Sequence, residues 1–356
     1  MLEETTQHQA LELAFVVLKT NSLTLFIMYK PTNKTIILGS GVNNLLFQAE
    51  HFFCTWNNFT KHFFNAVSHD HSPATLLMEA CIRQNELGIK HSKSANDIEL
   101  LILQNIANEI ENESHVQCKQ SFDWIFENKS VTDIICLNFN FPFGLEKEDF
   151  RPEKDFISSK KSRENFNNYQ CWTAAKARNH EIRFWFPHGS ILYPKFIVFG
   201  AFRYMKQTEY IKNLFEKLKK RERNIITEIA KDTIEYNERV NSNFNSTEEE
   251  MSWLIPFFYN EVYVLGSSLS MNEWDIWSAL TLRIRNFAKL ENRKYEHPIF
   301  HMRRGTQNDT SYPTFIQPLY DPSMSYDDQW KKLEQDFRKE INAHRSQSKK
   351  NNKSPR

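Results

Sequence analysis

The chain has little glycine, almost no net charge and no long apolar run. Glycine accounts for only 8 of its 356 residues. No stretch approaches the ~18 consecutive apolar residues of a membrane-spanning helix, so we expect no membrane association. Lysine and arginine total 45 against 44 acidic residues. This balance gives no electrostatic basis for a protein dedicated to nucleic acids.

Cysteine is also sparse, and its spacing excludes a common class of metal site. The cysteines are widely spaced and form no CxxC pair: Cys54, Cys81, Cys118, Cys136 and Cys171. Structural zinc sites need paired thiolates. An odd number of separated thiols is typical of reduced, buried cysteines in a cytosol. The acidic first residues lack the basic and apolar regions of a signal peptide, so we expect a cytoplasmic protein.

Aromatic residues, by contrast, are abundant. They make up 14% of the chain, with 29 phenylalanines. Disordered chains are poor in such residues, so the composition indicates a folded protein with a full-sized core. The length allows either two domains or one large α/β domain with insertions.

Five short apolar runs, each followed by glycine or small polar residues, predict buried strands. The runs are continuous rather than alternating, as in parallel strands that are covered on both faces. They span residues 35–38, 133–137, 183–186, 195–199 and 261–265. Helical patterns lie between them. We therefore predict an α/β fold: a Rossmann-like parallel sheet with helices on both faces, helical insertions and a C-terminal helix.

Apolar periodicity and capping residues place the main helices. Asn96 is expected to cap a helix over 97–111. A long charged segment over 207–240 is interpreted as a solvated helix rather than a nucleic-acid patch, because acidic residues interleave its basic ones. Ser325 begins a capping box for a last helix with an apolar stripe. The stripe consists of Trp330, Leu333, Phe337 and Ile341.

These patterns predict one interrupted α/β domain with additions. An N-terminal extension covers 1–34, and the main domain covers 35–305. That domain contains a polar loop over 144–180, either a lid or a pair of short surface helices. A helical insertion spans 205–250. A C-terminal helical segment at 306–344 precedes a tail at 345–356 that is predicted to be disordered.

Polar residues gather where the predicted strands end. Ligands of an open parallel sheet bind outside these carboxyl ends. Glycine lets the backbone approach a phosphate, although a single GxG is more often a structural turn. Asparagine orients water or a ribose hydroxyl, and histidine suits general-base work near neutral pH. The residues concerned are Gly39, Ser40, Gly41, Asn138, Asn140, His188, Gly266, Ser267 and Ser268.

The order of these motifs resembles the sirtuin-like NAD-binding family, in particular its bacterial antiphage branch. The motifs are residues 39–43, 137–140, 187–189 and 266–269. A Trp-centred segment at 55–59 and the stretch 269–277 add to the similarity. It covers roughly residues 35 to 305, which the resemblance implies to be an NAD-binding catalytic domain. No paired cysteines are present to build the zinc ribbon of deacetylating sirtuins, so the resemblance does not extend to protein deacylation.

The resemblance implies cleavage of the nicotinamide–ribose bond of NAD+, with NAD+ as substrate and no metal. Asn138 and His188 match the family's catalytic pair. Asn140 stands where the family commonly has aspartate, which removes an expected charge. The residues implied to bind NAD+ are Gly39, Ser40, Gly41, Asn43, Asn140, Gly266, Ser267 and Ser268.

The family also implies a restraining partner. Candidates are a HerA-type translocase ATPase, a nucleotide-sensing pyrophosphatase-like subunit, a short Argonaute or self-assembly into an oligomer. No direct nucleic-acid contact is expected. The alternative to an enzyme is a nucleotide-binding or scaffold subunit of a defence complex without chemistry.

Other clusters are weaker candidates. His69-Asp70-His71 resembles a metal-ligand group, but no second ligand set lies nearby in the sequence. Spacing also pairs His297 with His301, where residues 298–300 look like a strand, and His115 with Cys118. Glu273 and Asp275, two apart on a predicted helix, are not expected to face each other.

Overall fold

The described residues form a mixed sheet of eight strands covered by helices. In the computed structural model, the residues described are 33–43, 56–64, 95–113, 122–139, 145, 150–152, 171–174, 182–191, 193–200, 202–213, 215–216, 252–269, 273–288, 299–303 and 315–351. Residues 1–32 of the N-terminal extension, most of the 205–250 insertion, Asn140 and the segment 65–94 lie outside them.

The strands confirm the predicted Rossmann-like architecture. They are β1 (Lys34–Leu38), β2 (Val131–Cys136), β3 (Phe150–Pro152), β4 (Cys171–Ala174), β5 (Arg183–Trp185), β6 (Glu261–Leu265), β7 (Ile299–His301) and β8 (Ile316–Pro318). Their order in the sheet is β3-β4-β5-β2-β1-β6-β7-β8. The six strands from β5 to β8 in this order run parallel, and β3 and β4 add an antiparallel edge.

Helices occupy the connections. They are α1 (Trp56–Phe64), α2 (Ala95–Glu113), α3 (Asp123–Glu127), α4 (202–213), α5 (Leu254–Tyr259), α6 (Trp274–Ala288) and α7 (Tyr326–Asn351). The helix predicted over 97–111 is confirmed, although it begins at Ala95, so Asn96 lies in its first turn rather than at its cap. None of the helices that the structure describes is long and apolar enough to cross a membrane.

Two apolar cores cover the two faces of the sheet, as expected for parallel strands between helix layers. Successive side chains of a strand point to opposite faces. Ile36 of β1 therefore joins one core, with residues of α1, α2, α3 and α7. Ile37 joins the other core, with residues of α4, α5 and α6. Both side chains are fully buried, which explains why β1 is a continuous apolar run.

The register of the parallel strands aligns their carboxyl ends. Leu38 at the end of β1 pairs with Cys136 of β2 on one side and with Leu265 of β6 on the other. In β5, Trp185 pairs with Ile135. The segments that follow β1, β2, β5 and β6 therefore leave the sheet along one edge, where the candidate site lies.

The prediction of a strand over residues 195–199 is wrong. Pro194–Phe196 forms a 3₁₀ turn, and the buried residues 197–199 have no strand partner. Pro194 lacks an amide hydrogen and suits the start of such a turn. The Val198 amide instead donates to the carbonyl of His188 at 2.7 Å. The apolar run is thus a buried loop that supports the segment after β5, and Gly200 does not close a strand.

Three short strands were not predicted from the sequence. The 144–180 segment contributes β3 and β4 to the sheet. Apart from these strands and Leu145 the segment lies outside the described residues, so a lid or a pair of short helices there stays a prediction. Strand β8 pairs with β7, so the sheet extends beyond residue 305. All three strands have three or four residues, which is too short to show a periodic pattern.

The last helix follows the predicted cap but runs further. The Asp328 amide donates to Ser325 Oγ at 3.1 Å, and Ser325 Oγ donates to the Asp328 carboxylate at 2.6 Å, as in a capping box. The four apolar stripe residues are buried. The helix continues to Asn351, so the predicted tail from 345 begins as helix. Lysine, arginine and glutamine in this stretch are good helix formers.

Candidate functional site

The point where the chain order reverses lies between β1 and β6. Along the sheet, β1, β2 and β5 extend in one direction, and β6, β7 and β8 extend in the other. The parallel strands thus have the order 3-2-1-4-5-6 when numbered along the chain. In folds of this order, dinucleotides bind in the crevice at the reversal.

The segments after β1 and β6 contact each other across this reversal. The amide of Gly39 donates to the Leu265 carbonyl at 2.9 Å, and the amide of Gly41 donates to the Gly266 carbonyl at 2.7 Å. Ser40–Val42 form a 3₁₀ turn, with Asn43 buried after it. The two glycine amides therefore bind the neighbouring segment of the protein in the structure.

Glycine is required in these segments because they pack against each other without space for a side chain. A Cβ atom at Gly39 would lie 2.5 Å from the Cα of Ser267. A Cβ at Gly266 would lie 2.4 Å from the Val42 nitrogen, and Gly266 has a φ of +68°. Few other residues adopt that backbone conformation. The scarce glycines thus allow a close approach of two strand ends.

His188 is a buried histidine between two acceptors. Its Nδ1 lies 3.1 Å from the Leu137 carbonyl oxygen, and its Nε2 lies 2.8 Å from Asp275 Oδ2. A carbonyl only accepts hydrogen bonds, as does an ionised carboxylate. Both ring nitrogens are therefore engaged by acceptors, an arrangement that favours the charged form of the imidazole.

The electrostatic balance at His188 agrees with this protonation state. Burial lowers the pKa of His188, but the charge of Asp275 and its hydrogen bond outweigh burial, and the net pKa is raised. Both side chains of the ion pair are almost completely shielded from solvent, at 4% and 0% exposed. Low exposure strengthens such a pair, since little water screens it.

Local structure holds His188 in this position. Gly189 follows it with a φ of +81°, and its amide donates to the Phe186 carbonyl at 2.8 Å. On α4, Gln207 Nε2 donates to the Pro187 carbonyl at 3.1 Å. The Tyr204 ring meets the imidazole edge to face, with 5.4 Å between the ring centroids. Turn, helix and aromatic contact together fix the imidazole.

A second carboxylate, Glu273, lies beside the ion pair. Its Oε2 accepts a hydrogen bond from Ser267 Oγ at 2.8 Å, and Ser267 Oγ accepts one from the Leu269 amide at 3.0 Å. Burial of the carboxyl raises the pKa of Glu273 to about 7, against the hydrogen bond from Ser267 and the charge of His188. Glu273 is therefore a group that changes charge near neutral pH.

The structure brings most of the sequence-predicted site residues to one edge. Asn138 follows β2 and is half-buried. Ser267 is buried and Ser268 is exposed after β6. Gly39, Ser40, Gly41 and Asn43 follow β1, and His188 follows β5. Asn140 lies outside the described residues, so its predicted role stays a prediction.

The sequence argument failed for Glu273 and Asp275. It predicted that the two carboxylates would not face each other, because residues two apart on a helix point in different directions. However, α6 begins at Trp274, so Glu273 precedes the helix and the spacing rule does not apply. Asp275 contacts His188, and Glu273 lies close enough to raise the pKa of His188 as well. The usable signal was their position just after the Gly266-Ser267-Ser268 strand end.

His301 supports the β6 segment from the other side. Its Nε2 donates to the Ser267 carbonyl at 2.7 Å, which confirms a structural contact for this histidine at the end of β7. Within the described ranges, no group of three or more potential ligands is arranged to hold a metal ion. His69-Asp70-His71 and the pair His115 and Cys118 lie outside those ranges.

Comparison with known proteins adds no family assignment: no protein-family model matches the chain, and no curated protein matches it. The functional argument therefore depends on the geometry of the site and on the motif resemblance. The site combines a buried histidine–aspartate pair, a titratable carboxyl, a serine hydroxyl and an asparagine beside the crevice at the reversal of the strand order.

Proposed function

We propose that the chain is an NAD+ glycohydrolase. The observation that carries this proposal is that Glu273, bonded to Ser267 at the reversal of the strand order, also lies beside the His188–Asp275 pair. That crevice suits a dinucleotide. The motif order supports NAD+ as the dinucleotide, and the absence of a cysteine pair separates the chain from zinc-dependent deacylases.

The reaction would consume NAD+ and water and release nicotinamide, ADP-ribose and a proton. Nicotinamide leaves as a neutral ring, while positive charge develops on the ribose. Fixed charges and dipoles in a site of low solvent exposure stabilise such a centre. Asn138, at the end of β2, would orient the ribose hydroxyls or the attacking water. Asp275 and Glu273 would supply negative charge close to the developing oxocarbenium centre.

The roles of Asn138 and His188 are tested by substitution. Asn138→Ala and His188→Ala should each lower nicotinamide release by at least about 100-fold, as for a lost catalytic group. Nicotinamide release by the purified protein, alone and with co-expressed partners, is measured by chromatography. Matched controls are Asn342→Ala and His344→Ala, which alter exposed residues of α7. An intact NAD+ pool with the wild type under all these conditions would sink the proposal.

A binding protein without chemistry is the second candidate. It is favoured by one observation: both His188 nitrogens and the Gly39 and Gly41 amides already bond within the protein. Calorimetry with NAD+ and with ADP-ribose separates the two functions. Heat of binding with no product over hours would support the binding protein, whereas product formation would support the enzyme.

The cellular role that we propose is NAD+ depletion in the cytoplasm during phage infection, under the control of a partner. Only the motif resemblance supports this part. A HerA-type ATPase, a pyrophosphatase-like nucleotide sensor, a short Argonaute and self-assembly remain the candidate controls. The test is the cellular NAD+ level after infection, in cells with the wild-type chain and with Asn138→Ala.

A further inference from the structure

The two carboxylates near His188 have different environments. Asp275 is fully buried, and its Oδ2 lies 2.8 Å from the His188 Nε2 atom. Its Oδ1 accepts a hydrogen bond from the Ile276 amide at 2.9 Å. Both Asp275 oxygens are therefore bonded within the protein. Glu273 is half-buried, and its Oε2 contacts the Ser267 hydroxyl. The Glu273 side chain as a whole is thus more exposed than that of Asp275, although its carboxyl group is buried.

His188 is poorly arranged to accept a proton. A general base presents a nitrogen lone pair to the proton that it removes. Here Nδ1 faces the Leu137 carbonyl and Nε2 faces Asp275, so neither nitrogen presents a lone pair to a ligand. In the described arrangement His188 is a fixed hydrogen-bonding group that holds Asp275 and the end of β2.

We infer that Glu273, rather than His188, accepts the proton of the attacking water in the proposed hydrolysis, an assignment that rests on the proposed function. Water oxygen bonds to the ribose C1′ as its proton passes to Glu273 Oε1. The C1′–nitrogen bond breaks, and its electron pair neutralises the nicotinamide ring. Glu273 then releases the proton to solvent, so no further reactant is required.

Ser267 positions the Glu273 carboxylate for this step. The Leu269 amide donates to Ser267 Oγ, which leaves the single Ser267 hydroxyl hydrogen directed at Glu273 Oε2. These two hydrogen bonds fix the position of Glu273 Oε2 and leave Oε1 available to contact the ligand. Preorganised contacts of this kind lower the cost of orientation in the reaction.

The surroundings of Glu273 place its titration in a useful range. The groups that face it are His188 from the β5 segment, Tyr204 from α4 and Asp275 from α6. His301 from β7 contacts the neighbouring Ser267 carbonyl. Burial and the negative charge of Asp275 raise the pKa of Glu273, while the hydrogen bond from Ser267 and the charge of His188 lower it. Burial dominates, and the carboxyl exchanges its proton near pH 7.

The main test is Glu273→Gln, which keeps the size of the side chain and an acceptor for Ser267. Its kcat should fall at least about 100-fold with KM within about threefold. In the wild type, kcat should rise with pH through about 7, because the base must lose its proton first. This acid limb should be missing in the residual activity of Glu273→Gln. Glu334→Gln, on the exposed face of α7, is the matched control.

Ser267→Ala provides a second variant that retains the carboxylate. The hydrogen bond from Ser267 lowers the pKa of Glu273, so its loss should move the acid limb to higher pH. A purely structural role of Glu273 would not produce this shift. Nitrogen NMR of ¹⁵N-histidine should show His188 as imidazolium on both sides of the limb.

Two results would overturn the assignment of Glu273. One is Glu273→Gln with at least half of the wild-type kcat. The other is an NMR titration in which His188 loses its proton over the same pH range as the acid limb of kcat. If the wild type leaves NAD+ intact, the proposed function fails. Infrared difference spectra of wild type against Glu273→Gln then decide whether Glu273 still exchanges a proton near neutral pH. A carboxyl band that titrates near neutrality retains Glu273 as the exchanging group, and no change between about pH 5 and about pH 9 removes it.

Discussion

His301 and His188 are both buried, yet their surroundings act on them in opposite ways. Burial and then the charge of Arg303 lower the pKa of His301 to about 4, against the hydrogen bond to the Ser267 carbonyl. For His188, Asp275 outweighs burial and raises the pKa. At neutral pH His301 is therefore neutral, whereas the surroundings of His188 favour its charged form. One sequence supplies both states because the neighbours, not the imidazoles, differ.

We expect His301 to make the fold sensitive to acid. Its folded pKa lies below the unfolded value of ~6.5, so the unfolded chain binds the proton first. Stability is unaffected above that value and falls by up to about 3 kcal/mol as the pH drops towards 4. Denaturant unfolding from neutral to acid pH measures this slope, and His301→Gln should flatten it. His188 contributes the opposite sign, with stability lost as the pH rises through its raised pKa. An unchanged slope in His301→Gln would contradict the assignment.

At the scale of elements, α7 is held to the sheet by its apolar stripe and by its first turn. Trp330 packs edge to face against Trp124 of α3 and against Phe122, with centroid distances of 6.0 and 5.8 Å. At the first turn, Tyr326 Oη accepts a hydrogen bond from the Gly266 amide at 2.9 Å and donates to the Met302 carbonyl at 3.2 Å. The last helix thus contacts both the core and the candidate site.

Trp330→Ala should lower the free energy of unfolding by about 3–5 kcal/mol, because it leaves a large cavity. Among the described residues, no acceptor contacts the Trp330 Nε1 atom. Trp330→Phe should therefore cost much less than Trp330→Ala, since it keeps an aromatic ring and removes a donor without a partner. Trp274→Ala is the control, since that side chain is 64% exposed and should change stability by about 0.5 kcal/mol or less. Equal losses at both tryptophans would contradict this packing.

At the scale of the whole molecule, the sequence predicted the central strands but not their partners. The apolar runs located β1, β2, β5 and β6 because strands buried on both faces carry a continuous signal. The order of the strands depends on pairings such as Lys34 with Glu261, which no local pattern reveals. Strands β3, β4 and β8 are too short to be recognised. The glycine and histidine segments were found, but the pairing of Asp275 with His188 required the fold.

The whole fold should depend on residues beyond the predicted end of the catalytic domain. A chain that stops at residue 305 loses β8 and the α7 side chains in the core beside β1. We expect it to lack a cooperative unfolding transition in circular dichroism and to be digested rapidly. A chain that stops at Arg345 keeps every buried residue of α7 described and should unfold like the full chain. Cooperative unfolding of the shorter chain would show that the domain does end near 305.

The contact between Tyr326 and Gly266 has a consequence for synthesis of the protein. The strands that carry the candidate site leave the ribosome before α7 does, since folding during translation follows chain order. The Gly266 amide after β6 gains its acceptor, Tyr326 Oη, only after that helix has been made and has docked. A nascent chain therefore lacks a completed candidate site until its synthesis has passed α7.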